Sequence, residues 1–414
     1  MKRRRPARAK VSLEPSAVGE LPLPRSGIRV CYALPPRRAG RISLAGWWPS
    51  FGAGLTLGEA RRRARAEAIE RASGVFRGDE PRIRASYREL GEAAVHPAAC
   101  LLFSERQRRA AGSASRSPLT RVPRAFDEDA RIDWSPLWSL THRTWKYLPS
   151  MCLYFKYPAP PAGRFGSADS NGIAASRHRP EAALHALLEL VERDSVALWW
   201  YNRVRRPAFD LDDCRDPELR RLLACYHDLD RQTWVLDLTS DLEIPVCAAI
   251  SRRHTGRADL AFGFGAGLEP AAAVRHALCE MAQMLAARAA GGRGGAGTAA
   301  FERWRRGTRA VQTPHLLPSD APRRRLATPG PTPRNAATAV SRCRAALEAR
   351  GLEVLSLDLT RPDAPLAVIR MVVPGLRHLW PRFAPGRLYD APVAAGWRRR
   401  ALSQARLNPV PLLL

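Results

Sequence analysis

Lysine is almost absent from this strongly basic chain. Of 67 basic residues among 414, only Lys2, Lys10, Lys146 and Lys156 are lysine, and the rest are arginine. Arginine, alanine, glycine and proline have GC-rich codons, so base composition accounts for much of this bias. A net charge of +28 can attract nucleic acid, but no nucleic-acid-binding motif and no basic stripe interleaved with aromatic residues accompanies it. We therefore expect no nucleic-acid partner.

Long apolar runs are also missing. No stretch approaches the roughly 18 uninterrupted apolar residues that a membrane-spanning helix needs. The basic N-terminus, MKRRRPARAK, is not followed by the apolar segment of a secretory signal. We expect a cytoplasmic protein without a membrane partner.

Closely spaced cysteines are lacking as well. The chain contains no C-x-x-C pair, which argues against a zinc site or a redox dithiol. Buried, reduced thiols are therefore expected at all eight positions, which are Cys31, Cys100, Cys152, Cys214, Cys225, Cys247, Cys279 and Cys343.

The chain has the composition of a globular protein, with 45% apolar residues. Strand-like and helix-like segments alternate along it, which predicts a mixed fold of the α/β or α+β class. We predict a disordered basic arm over 1–25, a core over 26–310, a Pro/Arg-rich linker over 311–335 and a C-terminal part of the same domain over 336–414. The strongest helical patterns cover 56–76, 180–204 and 270–291.

Three of these helical segments align without gaps over sixteen residues. They are TLGEARRRARAEAIER (56–71), HRPEAALHALLELVER (178–193) and EPAAAVRHALCEMAQM (269–284). Small residues precede each of them by two and by four positions. Each ends in an acid followed three residues later by an acid or an amide: Glu67 and Glu70, Glu189 and Glu192, Glu280 and Gln283.

This spacing predicts a cation site. Residues i and i+3 share one helix face, and two adjacent carboxylates repel each other unless a cation lies between them. Mg²⁺ takes oxygen ligands, often together with nucleotide phosphates. The glycine-rich lead-ins would let backbone N–H groups approach a phosphate at a helix N-terminus. The residues therefore indicate an ATP–Mg²⁺ site.

The alternative is that each motif is only a solvated helix face with local salt bridges. The apolar residues around Glu189 argue against it, because that helix is apolar on nearly all sides, as buried helices are. A buried carboxylate pair needs a cation or a partner.

At this point the sequence resembles the YcaO family, and within it the azoline-forming cyclodehydratases that modify ribosomally made peptides. The resemblance runs from about Gly27 onward. Its longest block covers 168–203, and shorter blocks are GVFRGDE (74–80), AFGFGAGLEP (261–270), DLTRPD (358–363), VVPGLRHLW (372–380) and FAPGRLYD (383–390).

The resemblance implies a YcaO-type fold with repeated helix-plus-sheet units around a central ATP site. It implies that ATP and Mg²⁺ are the cofactors and that the metal is held by Glu67, Glu70, Glu189 and Glu192. The nucleotide would be bound by Arg71, Arg193, Ser170, Asn171, Glu280 and Gln283. No residue is assigned to catalysis beyond this site.

The implied reaction begins with attack by a Cys, Ser or Thr side chain of a precursor peptide on the preceding backbone carbonyl. Phosphorylation of the carbonyl oxygen and loss of phosphate then leave a thiazoline or oxazoline ring. Since only about 25 residues precede the resemblance, we expect a separate partner for the leader peptide, similar to a leader-recognition or ubiquitin-activating-enzyme-like protein. We also expect a homodimer.

Two departures from the family pattern stand in the first helix and its lead-in. Ala53 occupies a place where a lysine is expected, and Arg63 one where a serine is expected. Either Arg63 supplies the missing positive charge to the nucleotide, or it forms a salt bridge with Glu67 or Glu59. The tail NPVPLLL also keeps only Pro409 and Pro411 of a Pro-x-Pro-x-Pro ending.

Two other functions remain open on these residues. The departures would suit a non-catalytic YcaO-like scaffold of the same pathway. Another amide activation, such as thioamidation or support of ribosomal-protein methylthiolation, would use the same nucleotide site.

Overall fold

The computed structural model describes residues 12–23, 26–110, 121–159, 165–254, 259–291, 299–308, 312–326 and 333–412. The fold is mixed α/β, as predicted. All eight cysteines are free thiols; six are buried and two are half-buried. No helix in the described part of the chain is long and apolar enough to cross a membrane.

The strands of the described residues lie in five sheets. In chain order they are β1 (Ala17–Leu21), β2 (Arg29–Leu34), β3 (Arg38–Ala39), β4 (Ile42–Ser43), β5 (Ser50–Gly54), β6 (Ile83–Ala85), β7 (Ile132–Ser139), β8 (Trp145–Pro149), β9 (Ile173–Ser176), β10 (Phe209–Asp210), β11 (Arg231–Asp237), β12 (Val246–Arg253), β13 (Ala261–Ala266), β14 (Arg324–Arg325), β15 (Leu355–Asp358) and β16 (Ala367–Val372).

The helices connect and cover these sheets. They are α1 (Leu57–Ser73), α2 (Tyr87–Leu90), α3 (Ala98–Leu101), α4 (Glu105–Arg109), α5 (Ser150–Leu153), α6 (Arg179–Asn202), α7 (Pro217–Asp228), α8 (Pro270–Ala289), α9 (Ala299–Gly307), α10 (Ala336–Glu348) and α11 (Arg387–Ala394). The ends of α1, α6 and α8 lie within three residues of the ranges predicted from periodicity.

Three of the sheets position the site. One has the order β1-β2-β5, the second β11-β12-β13, and the third β6-β7-β15-β16-β9 with β8 paired to β7. The long helix α6 contacts β9 and β16 of the third sheet and β12 and β13 of the second. Its side chains Leu187, Val191, Trp199 and Trp200 are fully buried in the largest apolar cluster. The middle of α6 is therefore held between two sheets.

The strand β1 lies inside the segment predicted to be a disordered arm, so that prediction is wrong for Ala17–Leu21. Val18 and Leu21 pair in register with Ala33 and Val30 of β2, which satisfies the backbone of both strands. Residues 1–11, 24 and 25 of the predicted arm lie outside the described residues. The alternation of apolar and polar residues in AVGEL covers only five residues and is flanked by Pro- and Arg-rich sequence, so it did not identify a strand.

The predicted linker over 311–335 also contains ordered structure. A short 3-10 helix spans Pro314–Leu316 and buries His315 and Leu316, and β14 pairs in parallel with β10. A linker is therefore the wrong description of these residues; positions 311 and 327–332 lie outside the described part. Composition alone missed this because the segment gains its order from contacts distant in sequence, such as the Trp234 indole N–H donating to the Leu316 carbonyl at 2.7 Å.

Candidate nucleotide and metal site

The three repeated helices follow three strands, which gives three strand–helix units: β5–α1, β9–α6 and β13–α8. In each unit a backbone N–H at the strand donates to the first glutamate of the helix motif. The pairs are Phe51 with Glu67 at 2.7 Å, Gly172 with Glu189 at 2.9 Å, and Phe264 with Glu280. The repeat seen in the sequence therefore corresponds to a repeated local structure that fixes one carboxylate per unit.

The lead-in glycines have a different role from the one predicted. A Cβ atom on Gly52 would overlap the Ala60 carbonyl oxygen of α1, and one on Gly265 would overlap the Ala273 carbonyl oxygen of α8. These glycines let each strand pack directly against the backbone of its own helix. The contacts at these two positions do not support the prediction that the glycines let backbone N–H groups approach a phosphate. The periodicity of the sequence did not show that the Cα–H groups of these glycines face the helix backbone.

Arg193 connects two of the units. Its guanidinium donates to Glu189 Oε1 at 3.1 Å and to Glu192 Oε1 at 2.7 Å, and its Nη1 lies 3.9 Å from Glu280 Oε1 of α8. Burial lowers the pKa of Arg193, but the three nearby carboxylates outweigh burial and raise it above its usual range. Arg193 is therefore a permanent positive charge among acids from two helices.

Arg71 has the equivalent position in the first unit. It forms an ion pair with Glu67, and its Nη1 donates to the Pro49 carbonyl at 3.2 Å. Each arginine that follows a Glu-x-x-Glu motif therefore forms an ion pair with at least one acid of its own helix.

The acids form what we call the carboxylate cluster: Glu67, Glu70, Glu189, Glu192 and Glu280. Burial, followed by the charges of Glu189 and Glu67, raises the pKa of Glu70 well above its usual value. Burial is also the largest cause that raises the pKa of Glu192 to about 8, with Glu280 and Glu189 adding to it against the effect of Arg193. The pKa values of Glu189 and Glu280 are raised chiefly by burial as well.

The cluster carries more negative charge than its arginines balance. Five carboxylates face two guanidinium groups, Arg71 and Arg193, so three negative charges are unbalanced when all five are ionised. Hard cations prefer oxygen donors of this type, so the donor set fits Mg²⁺. In the described part of the chain, no three His, Cys, Asp or Glu side chains already surround one point as metal ligands do. The four predicted ligands belong to one cluster of interacting carboxylates. Arg193 forms ion pairs with two of them, Glu189 and Glu192.

Ser170 and Asn171 lie directly before β9, in the loop whose Gly172 holds Glu189. The Asn171 side chain donates to Asp169 Oδ1 at 2.7 Å and contacts His378 Nε2. The third predicted pair ends with Gln283, which is half-buried one turn beyond Glu280 on α8.

Sequence reasoning missed two polar residues beside Asn171. His378 Nε2 lies 3.5 Å from Asp169 Oδ2, and its ring stacks on Trp380 with centroids 3.8 Å apart. Burial alone would raise the pKa of Asp169, but hydrogen bonding from His378 and the charge of Arg370 hold it well below its usual range. Asp169 precedes the predicted pair and His378 stands in the VVPGLRHLW block, but nothing in the sequence showed that residues so far apart would meet.

The two departures in the first unit are explained locally. Ala53 is fully buried in β5, and its carbonyl accepts a hydrogen bond from Arg63 Nη1 at 2.6 Å. Arg63 Nη2 forms an ion pair with Glu59 at 2.6 Å. Of the two alternatives, these contacts favour the salt bridge with Glu59.

Comparison with known proteins agrees with this arrangement. The sequence model of a family described as YcaO cyclodehydratase, ATP- and Mg²⁺-binding, matches residues 51–377. The chain belongs to the YcaO family. The match spans all three strand–helix units, so the carboxylate cluster lies wholly within the YcaO domain.

Solved structures resemble this YcaO chain over most of its length. A heterocyclase in complex with substrate and cofactor has a TM-score of 0.88 and 39% identity, covering 96% of this chain and 55% of its own. The heterocyclase TruD has a TM-score of 0.78 and 42% identity, with coverages of 86% and 50%. The YcaO protein of Methanopyrus kandleri, bound with AMPPCP and Mg²⁺, has 22% identity, a TM-score of 0.65 and coverages of 90% and 92%, a likeness that concerns the fold.

A curated relative is an uncharacterized protein of Methanothermobacter thermautotrophicus, 28% identical over 269 residues, which are 64% of this chain and 63% of that protein. Another, encoded in the tfuA 3′ region of Rhizobium leguminosarum bv. trifolii, is 28% identical over 221 residues, or 50% of this chain and 52% of its own. The YcaO chain thus spans about half to two thirds of the length of these relatives and of the two heterocyclases.

Proposed function

We propose that this YcaO protein is an ATP- and Mg²⁺-dependent cyclodehydratase that forms thiazoline or oxazoline rings from Cys, Ser or Thr residues of a ribosomally made peptide. The observation that carries the proposal is the carboxylate cluster, which is built from three equivalent units and contains more acids than arginines paired with them. The heterocyclase solved with substrate and cofactor supports the same chemistry, since it shares 39% of its aligned residues with this chain.

The residues of the cluster divide into two roles. Glu67, Glu70, Glu189 and Glu192 would hold Mg²⁺, while Arg71 and Arg193 would orient these acids or contact phosphate. Ser170, Asn171, Glu280 and Gln283 would bind the nucleotide. When bound, Mg²⁺-ATP supplies the phosphoryl group that turns the amide oxygen into a leaving group.

The overall reaction balances without a redox step. The side-chain sulfur or oxygen bonds to the preceding carbonyl carbon, and the carbonyl oxygen leaves within inorganic phosphate. ADP leaves when the γ-phosphoryl group is transferred to the carbonyl oxygen. The peptide loses two protons, one from the nucleophile and one from the amide nitrogen, and one of them is taken up by the phosphate. The contribution of the protein is to position the reacting groups and to balance charge.

We propose that the segment from residue 26 onward acts as one YcaO unit rather than as two domains. Strand β16 from the C-terminal part pairs with β9, with Ala367 opposite Ser176 and Arg370 opposite Ile173. The C-terminal part therefore supports the strand that directly follows Asn171 and Gly172. Since peptide synthesis and ATP are cytoplasmic, we place the reaction there, with a leader-binding partner protein.

The proposal is tested by mass spectrometry of a Cys/Ser/Thr-rich precursor peptide, incubated with the protein, ATP, Mg²⁺ and the partner. We expect the loss of one water per ring together with stoichiometric release of phosphate, and little processing when the partner is left out. The matched pair Glu189→Gln and Glu181→Gln makes the same change on one helix, and only the first should abolish processing. Loss of water without ATP, or equal processing by both variants, would contradict the proposal.

A further inference from the structure

A cavity of about 610 Å³ lies at the C-terminal end of α6, beyond the carboxylate cluster. Its polar lining consists of Arg203, His315, Arg398 and Arg406, and its apolar walls include Pro314 and Leu402. Arg203 follows Arg193 by ten residues, which on an α-helix corresponds to about 15 Å. The cavity is therefore separate from the candidate nucleotide site, although the same helix leads to both.

Among the residues that the structure describes, the lining contains three arginines, Arg203, Arg398 and Arg406. Arg203 Nη2 donates to the Arg406 carbonyl at 2.8 Å, and Arg398 Nη2 donates to the Asn202 carbonyl. Both acceptors are backbone carbonyls, and no carboxylate is among the described residues that line the cavity. Burial, followed by repulsion from Arg203 and Arg406, lowers the pKa of Arg398. An anion in the cavity would relieve this repulsion.

Two buried nitrogen atoms of the lining lack partners among the described residues, namely Arg398 Nε and His315 Nε2. His315 is only 3% exposed. Its backbone carbonyl accepts a hydrogen bond from the Trp199 indole at 3.0 Å, and its ring packs edge-on against Trp200. An unsatisfied buried donor costs about 1–3 kcal/mol, so the unpartnered Arg398 Nε–H suits a ligand that supplies acceptor oxygens. The His315 ring offers a second donor to such a ligand in the tautomer that carries the proton on Nε2.

We propose that this cavity binds a carboxylate-bearing segment of the substrate peptide and thereby selects substrates with an acidic residue at a fixed distance from the modified position. The peptide nature of the ligand rests on the proposed function. A carboxylate matches the planar donor fork of arginine. The volume far exceeds that of a single small oxyanion, and Pro314 and Leu402 offer apolar surface to the neighbouring atoms of a peptide.

The test is fluorescence anisotropy with the full 414-residue chain, without ATP and at constant ionic strength. The probe is a labelled Gly-Asp-Gly-Asp-Gly-Asp peptide, and its counterpart has asparagine in place of aspartate. The variant Arg203→Gln/Arg406→Gln removes two charges from the lining. The control Arg399→Gln/Arg400→Gln removes two charges from exposed positions next to it in the chain, outside the lining. Circular dichroism melting verifies that both variants fold.

We expect the aspartate peptide to bind about tenfold more tightly than the asparagine peptide, which corresponds to about 1.4 kcal/mol. The lining variant should lose most of that difference and the control should keep it. If both variants lose the affinity difference between the two peptides equally, binding depends on general surface charge and the proposal is overturned. Displacement of the peptide by micromolar inorganic phosphate would show instead a site for free oxyanions. None of these measurements involves ring formation. The peptide-binding proposal can therefore be wrong while the cyclodehydratase proposal is right, and the cyclodehydratase proposal can be wrong while the peptide-binding proposal is right.

Discussion

At the scale of single residues, the charge balance of the carboxylate cluster depends on Arg193. Its guanidinium contacts Glu189 and Glu192 and lies near Glu280 of another helix. Removal of Arg193 would therefore leave three neighbouring acids without their shared guanidinium group.

The first prediction concerns Glu192, the acid whose pKa burial raises to about 8. Its charge is disfavoured in the folded protein without ligand, so the neutral isostere should fit better. We expect Glu192→Gln to raise the melting temperature of the ligand-free protein by about 2–4 °C. Differential scanning calorimetry measures this, with Glu181→Gln, in the first turn of the same helix, as the control that should change little. A lower melting temperature for Glu192→Gln would mean that its ion pair with Arg193 outweighs the burial of its charge.

The second prediction concerns Arg63. Because its guanidinium is already bound by Glu59 and by the Ala53 carbonyl, it is not free to replace the expected lysine. We expect Arg63→Ala to leave the KM for ATP within about threefold of wild type, and to lower stability by about 0.5–1.5 kcal/mol through loss of the hydrogen bond. Steady-state kinetics and urea unfolding separate the two effects. A tenfold or larger rise in the KM for ATP would support the alternative in which Arg63 supplies the positive charge that is missing at Ala53.

At the scale of elements, the sequence predicts the three helices and their carboxylates well because a buried helix leaves a clear period. The sequence could not predict that the backbone N–H groups of Phe51, Gly172 and Phe264 would each donate a hydrogen bond to a glutamate. A pattern of side chains does not show which backbone groups are free to donate. It also could not predict the pairing of Asp169 with His378, which are distant in the chain and meet only through the packing of β9 and β16.

The third prediction tests the revised role of the lead-in glycines. A Cβ atom on Gly52 would overlap backbone atoms of Ala60 and Ala64, whereas one on Gly58 would meet only Arg62 Nη1 at 3.4 Å. We expect Gly52→Ala to destabilise the fold by about 1–3 kcal/mol or more, and Gly58→Ala, in the first turn of α1, to stabilise it by about 0.5–1 kcal/mol. Urea unfolding of both variants gives the comparison. Wild-type stability for Gly52→Ala would show that α1 does not pack on β5 this closely.

At the scale of the whole molecule, a buried ion network joins the middle of the chain to its C-terminal part. Arg387 at the start of α11 lies 2.6 Å from Asp194 of α6 and 2.9 Å from Asp241. Asp194 is fully buried, and its Oδ1 also accepts the backbone N–H of Arg377 at 2.8 Å. The network holds the C-terminal part against α6, next to the helix turn that carries Glu192 and Arg193.

The fourth prediction removes the centre of that network. Arg387→Gln leaves the buried Asp194 without its cation and leaves Asp241 with Arg350 alone, at 3.5 Å. We therefore expect a loss of about 3–5 kcal/mol in the free energy of unfolding. Arg205 pairs with the exposed Asp320, and Arg205→Gln should cost about 0–1 kcal/mol. Guanidinium unfolding followed by tryptophan fluorescence measures both. Similar losses in the two variants would show that the network does not hold the C-terminal part in place.

We infer that three equivalent strand–helix units build one Mg²⁺-dependent nucleotide site. Isothermal titration calorimetry with AMPPCP tests it most directly, because it requires neither the peptide nor the partner. We expect binding that requires Mg²⁺ in the wild type, is lost in Glu189→Gln, and is retained in Glu181→Gln. Equal affinity with and without Mg²⁺, or unchanged binding in Glu189→Gln, would contradict it.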